Sequence, residues 1–148
     1  MDIDYKVGEV KLIYKATTPN KHKINMSCDA YNLLLPTFKE GTIEYKEYFK
    51  VIFLNQAYKV LGYTLISEGG LTDINVDVRV ILQAALLINA PVLILAHNHP
   101  SGSLKPSKQD LELTQFIKEA AELMRITVVD HIILTSKGYY SFKDEGIL

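Results

Sequence analysis

Pro91-Val92-Leu93-Ile94-Leu95-Ala96-His97-Asn98-His99-Pro100 is the stretch on which the reading of this chain turns. The apolar run Val92 to Ala96 has the pattern of a buried strand, and side chains along a strand repeat every two residues. His97 and His99 therefore project from one face where that strand ends, while Asn98 points away. After the loop Ser101 to Ser107, Asp110 returns in the next element. Two imidazoles and a carboxylate are three ligands of the kind Zn²⁺ takes in catalytic sites, with the fourth tetrahedral position left for water.

Outward from this stretch, the pattern is α/β. Glu9 to Lys15 alternates as an edge strand, with Val10, Leu12 and Tyr14 on one face, and Thr17 to Lys23 reads as a loop. Ser27 can cap a helix that runs to about Leu35 and stops at Pro36. Tyr48 to Leu54 and Tyr58 to Ile66 are β-rich and separated by Asn55-Gln56-Ala57, which predicts a hairpin broken at Ser67-Glu68-Gly69-Gly70. Val76 to Ile88 is apolar almost all round, as a central helix would be. Lys108 to Arg125 is amphipathic, with Leu113, Phe116, Ile117, Ala120 and Met124 on its apolar face. Ile126 to Leu134 and Tyr139 to Phe142 read as closing strands. A mixed sheet with helices against it is expected.

The chain of 148 residues has the size of one domain, and 48% hydrophobic with 22% charged residues describes a folded core. A formal net charge of −1 offers nothing to attract polyanions. Lys21-His22-Lys23 and the pair Lys105 and Lys108 are small clusters that read as solvated loops. Autonomous nucleic-acid binding is therefore not expected. The acidic start Met1-Asp2-Ile3-Asp4 is not a signal peptide. Val80 to Ala96 is too short, and too interrupted by Gln83, Asn89 and Pro91, to span a membrane. The lone Cys28 cannot form an internal disulfide, which fits a reducing cytoplasm.

The motif resembles that of the JAMM (MPN or JAB) metalloprotease superfamily: a distant Glu, then His-x-His-Pro, six residues, Ser, two residues, Asp. His97, His99, Pro100, Ser107 and Asp110 match it without a gap. His97-Asn98-His99-Pro100-Ser101-Gly102, Pro106-Ser107, Asp130-His131-Ile132-Ile133 and Tyr139-Tyr140-Ser141-Phe142 are similar to the RadC-like branch. The likeness runs from about Ser27 to Leu148. It implies a JAB/MPN-like mixed β-sheet with flanking helices, and one Zn²⁺ per chain held by His97, His99 and Asp110. Larger RadC-like proteins carry a helix-hairpin-helix region, for which 148 residues leave no room. A single domain over 1–148 is expected, with 1–26 as an N-terminal strand and loop.

The same resemblance implies a general base upstream and an oxyanion donor at Ser107. Glu44, Glu47 and Glu68 are the candidates for the base. Glu47 precedes a strand whose alternate residues Phe49, Val51 and Phe53 are apolar, and it matches the family's base position. Ser107-Lys108-Gln109-Asp110 also fits a helix capping box, although Asp is shorter than the usual Glu or Gln. Asp130-His131 can be read as a second site, or His131 as a packed, hydrogen-bonded residue near the sheet edge. Asp77 suits the start of the central helix, and Arg79 is a candidate for substrate contact. The expected function is zinc-dependent hydrolysis of peptide or isopeptide bonds. The alternatives are a DNA-repair-associated accessory protein and a metal-stabilised interaction module without turnover.

Overall fold

A computed structural model describes residues 7–11, 13–16, 22–69 and 75–148. Five strands form one mixed sheet: β1 (Tyr48–Leu54), β2 (Val60–Glu68), β3 (Val92–Asn98), β4 (Thr127–Thr135) and β5 (Gly138–Ser141). Their order is β2-β1-β3-β4-β5. Only β3 and β4 run parallel, and such a pair needs a crossover, here supplied by helix α3 (Lys108–Leu123).

Every residue of β3 is buried, which explains its unbroken apolar run. One sheet face, with Phe49, Val51, Leu93 and Leu95, packs against Ile81 and Ala85 of α2 (Val78–Leu87) and Ile117 and Ala121 of α3. The opposite face, with Ile52, Ile94, Ile132 and Leu134, packs against Ala30 and Leu34 of α1 (Ser27–Leu34). The centre of the sheet is thus dry on both sides. His97 and Asn98 end β3 on opposite faces of that slab.

A bulge in β4 decides which polar groups meet. Leu93 pairs with Val128 but Ile94 pairs with Asp130, so Val129 is an extra residue on β4. One added residue reverses the side-chain alternation beyond it. His131 consequently shares the α3 face with Leu95, and Asp130 goes to the α1 face with Ile94. There Asp130 accepts from Ser141 Oγ (2.7 Å) and from the Lys143 amide (3.1 Å), fastening the chain beyond β5.

Several expectations need correction. No strand forms in the described part of 9–15, where Val10 is 87% exposed; Leu12, and residues 17–21 of the expected loop, lie outside the described residues. The cap of α1 is Met26, not Ser27, because Asp29 reaches back to the amides of Asn25 (2.8 Å) and Met26 (3.0 Å). Asn55 accepts from the amides of Ala57 and Lys59 (both 3.0 Å), which holds Tyr58 in the turn and delays β2 to Val60. Glu68 is the last residue of β2, paired with Tyr48, rather than part of a turn.

Helix α2 covers one sheet face instead of being central, and Leu86 is 47% exposed. Phe116 of α3 is 60% exposed, because the line that packs inward is Thr114, Ile117 and Ala121. Asp77 caps α2 by accepting the Arg79 amide (2.9 Å), and the Arg79 guanidinium turns back onto the same carboxylate (2.8 Å). Among the described residues, no helix is long and apolar enough to cross a membrane.

Candidate metal centre

Three elements deliver the motif to one point. His97 is the penultimate residue of β3 and 2% exposed. His99 follows the strand, its amide held by the Leu134 carbonyl (3.0 Å). Asp110 lies in the first turn of α3. Nε2 of His97 is 2.9 Å from Nε2 of His99, and the Asp110 oxygens are 3.3 Å and 3.2 Å from those two nitrogens. One nitrogen or oxygen from each of the three residues lies within 4.8 Å of the others.

Donors bound at about 2.0–2.2 Å around one tetrahedral ion stand about 3.3 Å from one another. The observed separations are close to that value, and the donor set is of the type that holds a divalent ion.

The loop between His99 and α3 is shaped to orient the second imidazole. Gly102 adopts φ +81°, a conformation that side chains rarely tolerate, and its amide returns to the His99 carbonyl (3.0 Å). That turn brings the Ser103 carbonyl 2.7 Å from His99 Nδ1. A carbonyl can only accept, so neutral His99 carries its hydrogen on Nδ1 and presents a bare Nε2 to the centre.

Asp110 serves two structures at once. Its Oδ2 accepts the Ser107 amide (2.7 Å), and its own amide donates to Ser107 Oγ (3.0 Å), which completes the capping box. Asp is therefore long enough for this reach. The bond to Ser107 Oγ uses an acceptor position on the hydroxyl and not its hydrogen.

Burial works to raise the Asp110 carboxyl, but hydrogen bonds from His97 and His99 in their protonated forms, with the Ser107 amide, outweigh it and hold the group well below the usual carboxylate range. For His99, burial works downward, yet the hydrogen bonds to Asp110 and Ser103 and the charges of Asp110 and Glu47 raise it above the ordinary imidazole value.

The three upstream carboxylates occupy different places. Glu44 accepts from Ser136 Oγ (2.8 Å), and Glu68 pairs with Lys46 (2.7 Å). Glu47 directly precedes β1. The β1–β3 register pairs Phe49 with His97, and carrying it two residues further sets Glu47 opposite His99. The Glu47 charge acts on His99 accordingly. A cavity of about 400 Å³ opens beside His99, walled in part by Pro100, Gly102, Glu44 and Lys137.

Two residues at the site go beyond the expectations from sequence. Asn98 is fully buried on the far face, where its Oδ1 accepts the Tyr48 amide (2.7 Å). Its Nδ2 donates to the carbonyls of Ile43 (2.7 Å) and Lys46 (2.9 Å). The residue between the two histidines thereby clamps the segment that carries Glu47. Alternation along β3 shows only that Asn98 faces away, and a buried amide at that position was the available signal.

His131 is packed and hydrogen-bonded as expected, on β4, the strand beside the edge strand β5. It is 0% exposed, with Nε2 2.7 Å from His97 Nδ1 and Nδ1 2.6 Å from Thr114 Oγ1. The Phe142 ring stacks on it (4.6 Å) and Phe49 meets it edge-on (5.6 Å). Burial, with the neighbouring His97, pushes His131 well below the ordinary imidazole value. No second metal cluster is found around Asp130 and His131 among the described residues.

A family model described as the RadC-like JAB domain matches residues 24–147. A UPF0758 protein of Flavobacterium johnsoniae is 42% identical over 125 residues, which are 84% of this chain and 53% of that protein. One from Porphyromonas gingivalis is 39% identical over 131 residues, 88% of this chain and 56% of the relative. One from Histophilus somni is 35% identical over 142 residues, 96% of this chain and 59% of the relative. The chain thus spans little more than half the length of these curated relatives.

Proposed function

Because the chain belongs to the RadC-like JAB domain family, we propose that it is a zinc-dependent hydrolase of peptide or isopeptide bonds. The observation that carries this reading is the convergence of His97, His99 and Asp110 beside an open cavity, with the charge of Glu47 acting on His99. His97 and His99 would hold the ion through Nε2 and Asp110 through its carboxylate. Bound there, Zn²⁺ supplies a Lewis acid that lowers the pKa of water to roughly 7.

The chain's own groups complete the chemistry. Glu47 accepts the proton of the attacking water at its carboxylate and later delivers it to the leaving amine. Ser107 Oγ can donate its hydroxyl hydrogen to the carbonyl oxygen under attack, since its bond from the Asp110 amide leaves that hydrogen available. The cavity beside His99 gives the substrate chain a place to lie.

The test is incubation of the zinc-loaded protein with a broad library of peptides and isopeptide-linked peptides, with products read by mass spectrometry. Cleavage that stops with a chelator and returns with zinc is expected. A protein that holds zinc and cleaves no member of the library contradicts the hydrolase reading and favours a metal-stabilised interaction module.

A further inference from the structure

The hydrogen bonds behind His97 run in one direction only, and their direction follows from counting hydrogens. Thr114 lies one turn beyond Asp110 on α3 and donates its hydroxyl to the Asp110 carbonyl (2.6 Å). A hydroxyl has one hydrogen, and a carbonyl has none to give. Thr114 Oγ1 must therefore accept at its second contact, so the hydrogen there sits on His131 Nδ1. An imidazole buried between Phe49 and Phe142, whose two ring nitrogens meet His97 Nδ1 and Thr114 Oγ1 and, among the described residues, no carboxylate, is uncharged. Its Nε2 is then a bare acceptor, and the hydrogen in the 2.7 Å contact belongs to His97 Nδ1. His97 is left with a lone pair on Nε2, aimed at His99 and Asp110.

We propose that His131 and Thr114 are positioning residues, a relay that fixes the tautomer and ring orientation of His97 so that Nε2 is the ligand atom. The circuit closes on itself. Asp110 offers its carboxylate to the centre, while its backbone carbonyl orients Thr114 at the far end of the relay. Partners behind a ligating histidine tune metal affinity as well as geometry. The bulge at Val129 is the fold's means of bringing His131 to this face. The inference rests on the metal-site reading, and its test separates the two.

The decisive readout is the ring tautomer, which packing alone does not dictate. Protein labelled with ¹⁵N at histidine is studied metal-free at about pH 8.5, above the ordinary imidazole range, by long-range ¹⁵N–¹H correlation. His97 and His131 should both carry their hydrogen on Nδ1. A hydrogen on His131 Nε2 would reverse the relay and overturn the proposal.

Zinc affinity is then measured by competition with a chelator. His131→Leu should bind roughly 10–100-fold more weakly, whereas His131→Gln, which can place an acceptor oxygen where Nε2 was, should recover most of that loss. Thr114→Val, close in shape and gentler on the core, should weaken zinc less and mix the His131 tautomers. Unchanged affinity in His131→Leu, or no recovery with Gln, contradicts the relay. Should His131→Leu fail to fold, an unaltered tautomer and affinity in Thr114→Val contradict it instead. Wild-type protein that binds no zinc refutes the metal reading, and the tautomer spectrum still decides the relay.

Discussion

Ser107 and Asp110 exchange two hydrogen bonds, amide to carboxylate at 2.7 Å and amide to hydroxyl at 3.0 Å, and the same Asp110 oxygen stands 3.2 Å from His99 Nε2. The helix cap and the metal ligand are thus one side chain. A helix N-terminus is a fixed support, so the cap stiffens the ligand.

Asp110 variants should separate those two roles. Asp110→Asn keeps an acceptor for the Ser107 amide and should retain the cap's share of the metal-free stability while losing tight zinc binding. Asp110→Ala should lose both, with a further cost of about 1 kcal/mol from the broken cap. Denaturant melts of the metal-free variants, with zinc titrations alongside, check this. Equal metal-free stability of the two would show that the cap contributes nothing.

Substitutions at the reacting groups should divide by zinc content. Glu47→Gln should keep fold and zinc and abolish hydrolysis, because an amide cannot take a proton from water. His97→Ala should lose zinc and activity together. Ser107→Ala should keep zinc and lose roughly 10²–10³ in rate, as expected for one missing oxyanion donor. Elemental analysis and cleavage assays on each variant are the checks. Full activity in Glu47→Gln would move the base to Glu44 or Glu68.

Asn98→Ala strips partners from the Tyr48 amide and from the carbonyls of Ile43 and Lys46. Part-buried backbone groups left unsatisfied make a loss of about 2 kcal/mol the expected effect. The clamp lies on the face away from the ligands, so zinc affinity should change much less than the cleavage rate that depends on Glu47. Chemical denaturation, zinc titration and kinetics test the split. A variant that loses zinc and rate in equal measure would contradict a role specific to the Glu47 segment.

The ligands' protonation gives stability a pH signature that metal should reverse. In metal-free protein, the raised His99 stabilises fully below its unfolded value of about 6.5 and loses that contribution as pH rises through its folded value. The lowered Asp110 contributes above its unfolded value of about 3.9 and loses that contribution in acid. The pair therefore supports the metal-free fold best between about pH 4 and 6.5. Zinc needs deprotonated ligands, so its added stabilisation should grow as pH rises. Melting temperatures with and without zinc from about pH 5 to 8.5 should diverge upward. A constant gap would mean that no imidazole is displaced from its proton.

Much of this was legible in the sequence because periodicity reports burial. The apolar run before His97 marks β3, the strand buried on both faces, and the i, i+2 spacing sets both histidines on one side. The cap pattern at Ser107 marks the start of α3. Tertiary packing hid the rest. Alternation along β4 gives no sign of the extra residue at Val129, and that residue alone turns His131 toward His97. Phe116 and Leu86 are as apolar as core residues, yet the residues their helices bury fully against the sheet are Ile117, Ala121, Ile81 and Ala85. The alternating stretch from Glu9 to Lys15 resembles a strand, but its described residues are exposed and form no strand pairing.

Zinc occupancy of native protein is the most direct measurement of all. Protein purified without chelator should carry about one zinc per chain, and X-ray absorption should report two imidazole nitrogens and light oxygen donors at about 2.0–2.2 Å. His99→Ala should abolish that signal. Metal-free native protein that neither takes up added zinc nor gains thermal stability from it would contradict the assignment of His97, His99 and Asp110 as a metal centre.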